Sequence, residues 1–196
     1  MRFAHRPVWF RRSRLRTRGA GSQRVLLTFD DGPHPEHTPA VLDRLAAHGV
    51  RAAFFLVGSR IASAPHLPQR IASAGHVVGN HTFSHRRFGW WERSGPLDDV
   101  TRCQELLPAA TWFRPPLGRL TPGLWRAARR HGLRVVNWSL DSNDWRCRGE
   151  SDARACAAEV LASVRPGDII LFHDDRPWVA AILDVVLPEL RERGLV

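Results

Sequence analysis

At 196 residues, with 43% hydrophobic residues and a mean hydropathy of −0.28, the chain is long enough for one domain with a sizeable core and has an ordinary composition for a soluble fold. The formal charge of +10 points to nucleic acid or an anionic membrane only until it is located: residues 1–24 hold eight arginines and no acid, which leaves the rest of the chain at about +2. No stretch approaches the roughly 20 apolar residues of a membrane span, and no apolar run suited to an export signal follows Arg11-Arg12.

Residues 1–23 therefore read as a basic, disordered leader able to touch phosphates or an anionic surface, with no specific nucleic-acid partner expected, and residues 24–196 as one domain. All 29 basic residues are Arg, from which no function follows. Cys103, Cys147 and Cys156 are an odd number without a CxxC spacing. That fits unpaired thiols in a reducing compartment and a cytoplasmic location, with a Cys147–Cys156 bridge as the alternative; an upstream start that restored an export signal would move the protein outside the cell.

In chain order, Val25 to Phe29 is a short β-favouring run that delivers Asp30 and Asp31 to a turn enforced by Gly32 and Pro33. Residues 39–48 predict a helix capped by Thr38 and stopped by Gly49, and residues 52–57 a strand buried on both faces. A helix over 67–74 and a strand from Val77 lead to His81-Thr82-Phe83-Ser84-His85. After a loop carrying Trp90 and Trp91, a helix is expected over 96–107, a strand end at 111–114 and a helix over 122–131. A strand from Arg134 is expected to run on toward Asp144 and Trp145. A helix over 152–164, a strand over 168–172 ending at His173, and a helix over 178–193 complete the pattern, with Leu195-Val196 as the start of a further strand. Alternation of strands and helices predicts a parallel β/α architecture.

Asp30 and Asp31, His81 and His85, Arg114, Asp144 and His173 each follow a predicted strand, the face of a β/α barrel where loops carry chemistry. Adjacent carboxylates repel, so a fold that gathers Asp30 and Asp31 at a strand end gives them a cation or a proton to share, unless they only shape the turn. His81 and His85 are four apart, so on a helical turn both rings face one side; with one aspartate they make a two-His, one-carboxylate site with a position left for water. Non-haem Fe(II) can use the same ligands, but a spare aspartate and His173 suit a hydrolase that needs a base and an acid. His34 and His37 lie close enough to line the site, while His48 and His131 read as helix C-terminal residues.

These segments resemble the polysaccharide deacetylase family, the NodB homology domain shared by chitin, peptidoglycan, xylan and chitooligosaccharide deacetylases. Over residues 24–196 five motifs occur in the family's order: Thr28-Phe29-Asp30-Asp31, His81-Thr82-Phe83-Ser84-His85, Arg114-Pro115-Pro116-Leu117, Asp141-Ser142-Asn143-Asp144-Trp145 and Leu171-Phe172-His173. The resemblance implies an α/β fold, a distorted (β/α) barrel that is TIM-barrel-like, and metal-dependent removal of acetyl groups from an N-acetylated glycan. It implies Asp31, His81 and His85 as ligands of one divalent ion, with Zn2+ expected and Co2+, Ni2+ or Mn2+ as alternatives. Asp30 would be the general base held by Arg114, His173 the general acid paired with Asp144, and Trp145, Leu171 and Leu117 the substrate-contacting residues.

Three features depart from the family pattern. Leu117 stands where an aromatic residue is usual, the stretch from His85 to Arg114 is short, and the chain ends where a last strand normally follows, which would leave the barrel incomplete or completed by a partner. Trp90 and Trp91 either replace the lost sugar platform or pack the loop. Two alternatives stay open: the same machinery acting on a non-sugar amide, imide or ester, and a non-catalytic binding protein on a decayed scaffold.

Overall fold

Residues 24–92 and 94–196 are described by a computed structural model, so the expectation for the leader at 1–23 lies outside the described residues. Seven parallel strands make one sheet: β1 (Leu26–Asp30), β2 (Ala53–Leu56), β3 (Val77–Asn80), β4 (Trp112–Phe113), β5 (Arg134–Val135), β6 (Leu140–Asp141) and β7 (Ile169–His173). Their order is β5-β4-β3-β2-β1-β7-β6, so β1 lies inside the sheet. Helices α1 (His37–Ala47), α2 (Gly58–Ile61), α3 (Leu67–Ser73), α4 (Ser94–Leu106), α5 (Pro122–Arg130), α6 (Glu150–Ser163) and α7 (Val179–Glu192) connect and cover the strands. No helix among the described residues is long and apolar enough to cross a membrane.

The sheet curls into an open barrel, and chain length alone requires the curl. Strands β5 and β6 are the two edges, yet only residues 136–139 separate them, and five residue steps span at most roughly 17 Å. The single strand expected from Arg134 toward Trp145 is thus two short strands on opposite edges. The physical reason is that residues 136–139 close the barrel mouth: Ser139 already donates its N–H to Ile169 O at 2.9 Å, a bond on the far edge.

Alternation along the strands separates two layers. Leu27, Phe29, Phe54 and Phe172 join the large cluster that includes Val41, Leu45, Ile182 and Val186 of α1 and α7. Phe55, Ala53, Val136 and Ile169 form a smaller cluster with Trp112 and Trp138 on the other face. That two-sided burial accounts for the unbroken apolar run 52–57. Phe29 stacks between Phe54 and Phe172, with ring centroids 4.9 and 5.8 Å away.

Most helix boundaries fall within two residues of expectation, with two exceptions of substance. The short helix α2 carries no sequence pattern of its own. Thr38 does not cap α1, which starts one residue earlier at His37; its hydroxyl is buried and donates to Asp174 Oδ2 while accepting the His34 N–H at 2.8 Å. A partner distant in sequence recruits it. Leu195 O accepts the Val25 N–H at 2.8 Å, which sets the C-terminal residues beside the start of β1.

Removal of the central ring of the aromatic stack is expected to be costly. Phe29→Ala should lower stability by about 3–5 kcal/mol and Phe29→Leu by less than about 1.5 kcal/mol, read as urea midpoints at constant slope. An alanine loss under about 1 kcal/mol would mean that the three rings do not pack as one unit.

Candidate metal centre and its flanking acid and base

Asp30 is the last residue of β1, on the same side of the strand as Thr28, and Asp31 follows in a left-handed conformation at φ 72° that turns its carboxylate toward β3. Gly32 is required there, since a Cβ would collide with the Asp174 carboxylate. Asp174 is fully buried and its N–H donates to Asp30 O at 3.2 Å, so it locks this turn against β7.

His81 and His85 arrive on a loop after β3, not on the helical turn that their spacing suggested. Thr82 and His85 take left-handed conformations at φ 68° and 52°, and this bend brings the two rings to 4.8 Å between centroids. Side chains hold the bend. Thr82 N–H donates to Asn80 Oδ1 at 2.9 Å, His85 N–H to Thr82 Oγ1 at 3.1 Å, and Asp99 Oδ2 accepts the Phe83 and Ser84 N–H groups at 3.1 and 3.0 Å. Asn80 and Asp99 were missed in sequence. Asp99 lies in α4, 14 residues beyond His85, on the buried stripe with Pro96, Val100 and Cys103, and its place at helical spacing among those apolar residues is the one signal the sequence offered.

Asp31, His81 and His85 present ligand atoms that all lie within 4.8 Å of one another. Asp31 Oδ1 is 3.5 Å from His81 Nε2 and 3.1 Å from His85 Nε2, and this buried oxygen has no hydrogen-bond donor. His81 Nδ1 donates to Arg114 O at 2.7 Å, which fixes the tautomer and turns the Nε2 lone pair toward the carboxylates. The donor set therefore fits a divalent cation, because three electron-rich atoms converge with nothing positive between them. Titration agrees. Burial opposes charge on His81, yet Asp30 and Asp31 outweigh it and raise its pKa. Burial likewise favours neutral Asp31, but the neighbouring His81, His85 and His173 hold it well below the usual carboxylate range. Burial and the neighbouring His81 charge lower His85. The cluster draws in one positive charge and resists a second proton.

Arg114 is fully buried in the barrel mouth. Its Nη1 donates to Asp30 Oδ1 at 2.7 Å and to Thr28 Oγ1 at 2.8 Å, its Nε donates to Val136 O at 2.9 Å, and its guanidinium lies 4.1 Å from the Phe55 ring centroid. Asp30 Oδ2 is left 3.6 Å from His81 Nε2, beside the ligand set. On the neighbouring strand, His173 is the register partner of Asp30. Its Nδ1 and its backbone N–H are each 2.7 Å from the buried Asp144 carboxylate, which orients the ring. Burial disfavours the imidazolium, but Asp144 outweighs it and raises the His173 pKa to about 9.

Around this centre Leu171 is buried, Trp145 is half exposed under the Arg146 guanidinium, and Leu117 is 61% exposed in a left-handed conformation at φ 57°. His34 and His37 stack on each other at 4.1 Å, and His34 Nδ1 accepts two backbone N–H groups of its own turn, a local structural role. His131 Nε2 pairs with Thr101 Oγ1 at 2.7 Å, and the buried His76 accepts the Ala52 N–H at 3.1 Å. In the loop at 86–92, Phe88 is buried and Arg86 pairs with Glu92, while Trp91 stands 86% exposed.

A family model for polysaccharide deacetylase matches residues 17–136. The chain is 38% identical over 197 residues to a chitooligosaccharide deacetylase of Bradyrhizobium sp. (strain ANU 289), covering 89% of this chain and 88% of that protein. It is 35% identical over 179 residues to a peptidoglycan-N-acetylglucosamine deacetylase of Bacillus cereus, covering 87% of this chain and 64% of the relative, so it spans just under two thirds of that protein's length. The crystal structure of the Bc1960 peptidoglycan N-acetylglucosamine deacetylase superposes with a TM-score of 0.80 at 33% identity, over 88% of this chain and 84% of that one.

A chelator-competition titration tests the donor set. One equivalent of Zn2+ or Co2+ is expected to bind, with His81→Ala and Asp31→Ala each losing more than about 100-fold in affinity, because even outer partners of ligands are worth 10–100-fold. Affinity should fall as pH drops, since protons compete for His81, whose pKa is raised. Unchanged affinity in both variants would put the ion elsewhere.

Proposed function

The chain belongs to the polysaccharide deacetylase family, and on that premise we propose that it hydrolyses N-acetyl groups from N-acetylglucosamine units of an oligo- or polysaccharide, at one divalent ion held by Asp31, His81 and His85. The observation that carries this reading is that a carboxylate and an imidazolium flank the donor set from adjacent strands, Asp30 and His173 being register partners. A binding protein needs neither group. Zn2+ is the ion that a two-nitrogen, one-oxygen set with a free position suits best. When bound, such an ion supplies polarisation of the amide carbonyl and a water acidified toward neutral pH.

The chain's own residues supply the rest. Asp30 has one oxygen anchored by Arg114 and the other beside the ligands, so it is oriented to take the proton of the attacking water. Arg114 fixes that carboxylate, and Thr28 in turn holds Arg114. His173, charged at neutral pH through Asp144, gives its Nε2 proton to the departing amine; without it an amide must expel a poor leaving group. The Leu117 backbone N–H is the proposed oxyanion donor, a role that is indifferent to the side chain. Leu171 and Trp145 would wall the acetyl methyl.

The exposed Leu117 favours one second reading, since it offers a sugar ring less stacking surface than an aromatic would: the same groups acting on a different amide, imide or ester.

Acetate release from N-acetylglucosamine tetramer by metal-loaded protein tests the reading. Asp30→Asn and His173→Ala should each lower kcat by about 10²–10⁴ with metal still bound. Metal binding without acetate release would sink the glycan reading and advance the second. The pH profile supplies an independent check. Activity should fall as pH rises through about 9, where His173 loses its proton. Asp144→Asn removes the charge that raises His173, so the alkaline limb should move to lower pH; a limb that stays put would take the acid role away from His173.

A further inference from the structure

Helix α5 turns toward solvent a face that the core does not use. Leu124, Ala127 and Ala128 are buried in a second apolar cluster, which leaves Trp125, Arg126, Arg129 and Arg130 exposed on the outer side. Those four residues and Leu97 of α4 line a groove of about 500 Å³. Gly123 sets how closely α5 approaches its neighbours there, since a Cβ would meet Glu92 O at 2.5 Å and Pro96 Cγ at 2.8 Å. Charge on this face is unbalanced. Between Glu105 and Asp141 the sequence holds six arginines and no acid. Arg126, Arg129 and Arg130 form no ion pair among the described residues, although like charges three and four apart on a helix repel. The Arg129 guanidinium lies 4.9 Å from the centroid of the Trp125 ring, and Trp125 is 45% exposed. An exposed aromatic ring beside three unneutralised guanidiniums suits a ligand that brings both a ring face and negative charge.

We propose that this groove is a second glycan site, sharing no residue with the metal centre, that takes an acidic polysaccharide chain. Trp125 stacks on the apolar face of one sugar ring, and Arg126, Arg129 and Arg130 pair with carboxylates along the chain, to which a guanidinium presents two parallel donors. The arginines alternate with the ring at one-turn spacing, Trp125 with Arg129 and Arg126 with Arg130, so ring and charge contacts fall side by side along the helix. Trp125 lies in the first turn of α5, which follows the loop that carries Arg114 and Leu117 out of β4, so the groove begins on the catalytic side of the sheet. A bound acidic chain would relieve the repulsion that the bare arginines impose on one another. The choice of a sugar over a nucleobase as the ring partner rests on the glycan reading of the metal centre; the groove and its charge do not.

Calorimetric binding to the full, metal-loaded chain at near-physiological salt tests the site. The probe is tetragalacturonate, a sugar chain with carboxylates and no acetyl group; cellotetraose is the neutral chain and a single-stranded oligothymidylate the nucleic-acid probe. Trp125→Ala should lower tetragalacturonate affinity about tenfold through the lost stacking surface. The double variant Arg126→Gln, Arg130→Gln should lower it about tenfold through two lost ion pairs and make its salt dependence shallower. Both variants should keep the wild-type thermal midpoint and metal stoichiometry, and oligothymidylate binding, which the arginines of residues 1–24 can supply, should change less than tetragalacturonate binding. Tetragalacturonate bound alike by wild type and variants would assign the contact to residues 1–24 and overturn the groove. Cellotetraose bound as tightly as tetragalacturonate overturns the acidic chain, and variants that weaken oligothymidylate more than tetragalacturonate overturn the sugar in favour of nucleic acid. Acetate release does not enter these affinities, so failure of the groove and failure of the deacetylase reading are told apart.

Discussion

A guanidinium removed from water needs hydrogen-bond partners for its donors, and Arg114 finds four of them inside the barrel mouth by joining parts of the site that are distant in sequence. Its side chain holds Asp30 and Thr28 of β1 and the carbonyl of Val136 on the crossover between the sheet edges. Its own backbone carbonyl holds His81 Nδ1. One residue thereby anchors the proposed base, fixes the tautomer of a ligand, and ties down the segment that lets the sheet curl. A neutral residue at 114 would take from the buried Asp30 its short ion pair and leave only the His81 ring 3.6 Å away, so fold and chemistry depend on the same contact.

Charge around that anchor is set by partners acting against desolvation, which bears on nearly every group there. Asp30 faces a fixed cation, Asp31 faces two imidazoles, and His173 faces Asp144. His81 and His173 are raised because their carboxylate partners outweigh burial, while His85, although 3.1 Å from Asp31, is lowered by burial and by the charge of His81. The result is one pocket for a positive ion with an ionisable group on each side, the separation of roles that hydrolysis of an amide requires.

Backbone conformation marks the same face. Asp31, Thr82, His85, Leu117 and Asn143, the non-glycine residues with positive φ among the described residues, all lie in loops that follow strands at the C-terminal side of the sheet. Left-handed backbone at such residues costs on the order of 1 kcal/mol each and persists only where neighbours over-determine it. Those neighbours are visible here. Asp99 and Asn80 hold the loop with Thr82 and His85, and Asp174 with Thr38 holds the turn after Asp31.

Local sequence was enough for the β/α alternation, the strand that ends in Asp30-Asp31, the apolar run over 52–57, and the pairing of His81 and His85 with one of two aspartates, because strand periodicity and strand-end position are local properties; the choice of Asp31 over Asp30 came from the family resemblance of contiguous motifs. It also sufficed to place eight of the ten net positive charges in residues 1–24, since that is a matter of counting. What the tertiary structure alone decided was how those pieces meet. The expected helical turn at 81–85 is a left-handed bend because Asp99, remote in sequence, supplies its hydrogen bonds. Thr38 leaves its expected cap for Asp174, 136 residues away. The expected strand from Arg134 is cut in two because the sheet has to close. Each outcome turns on a partner more than a dozen residues distant, and a one-dimensional pattern cannot assign a hydrogen bond to a residue whose position only the folded chain defines.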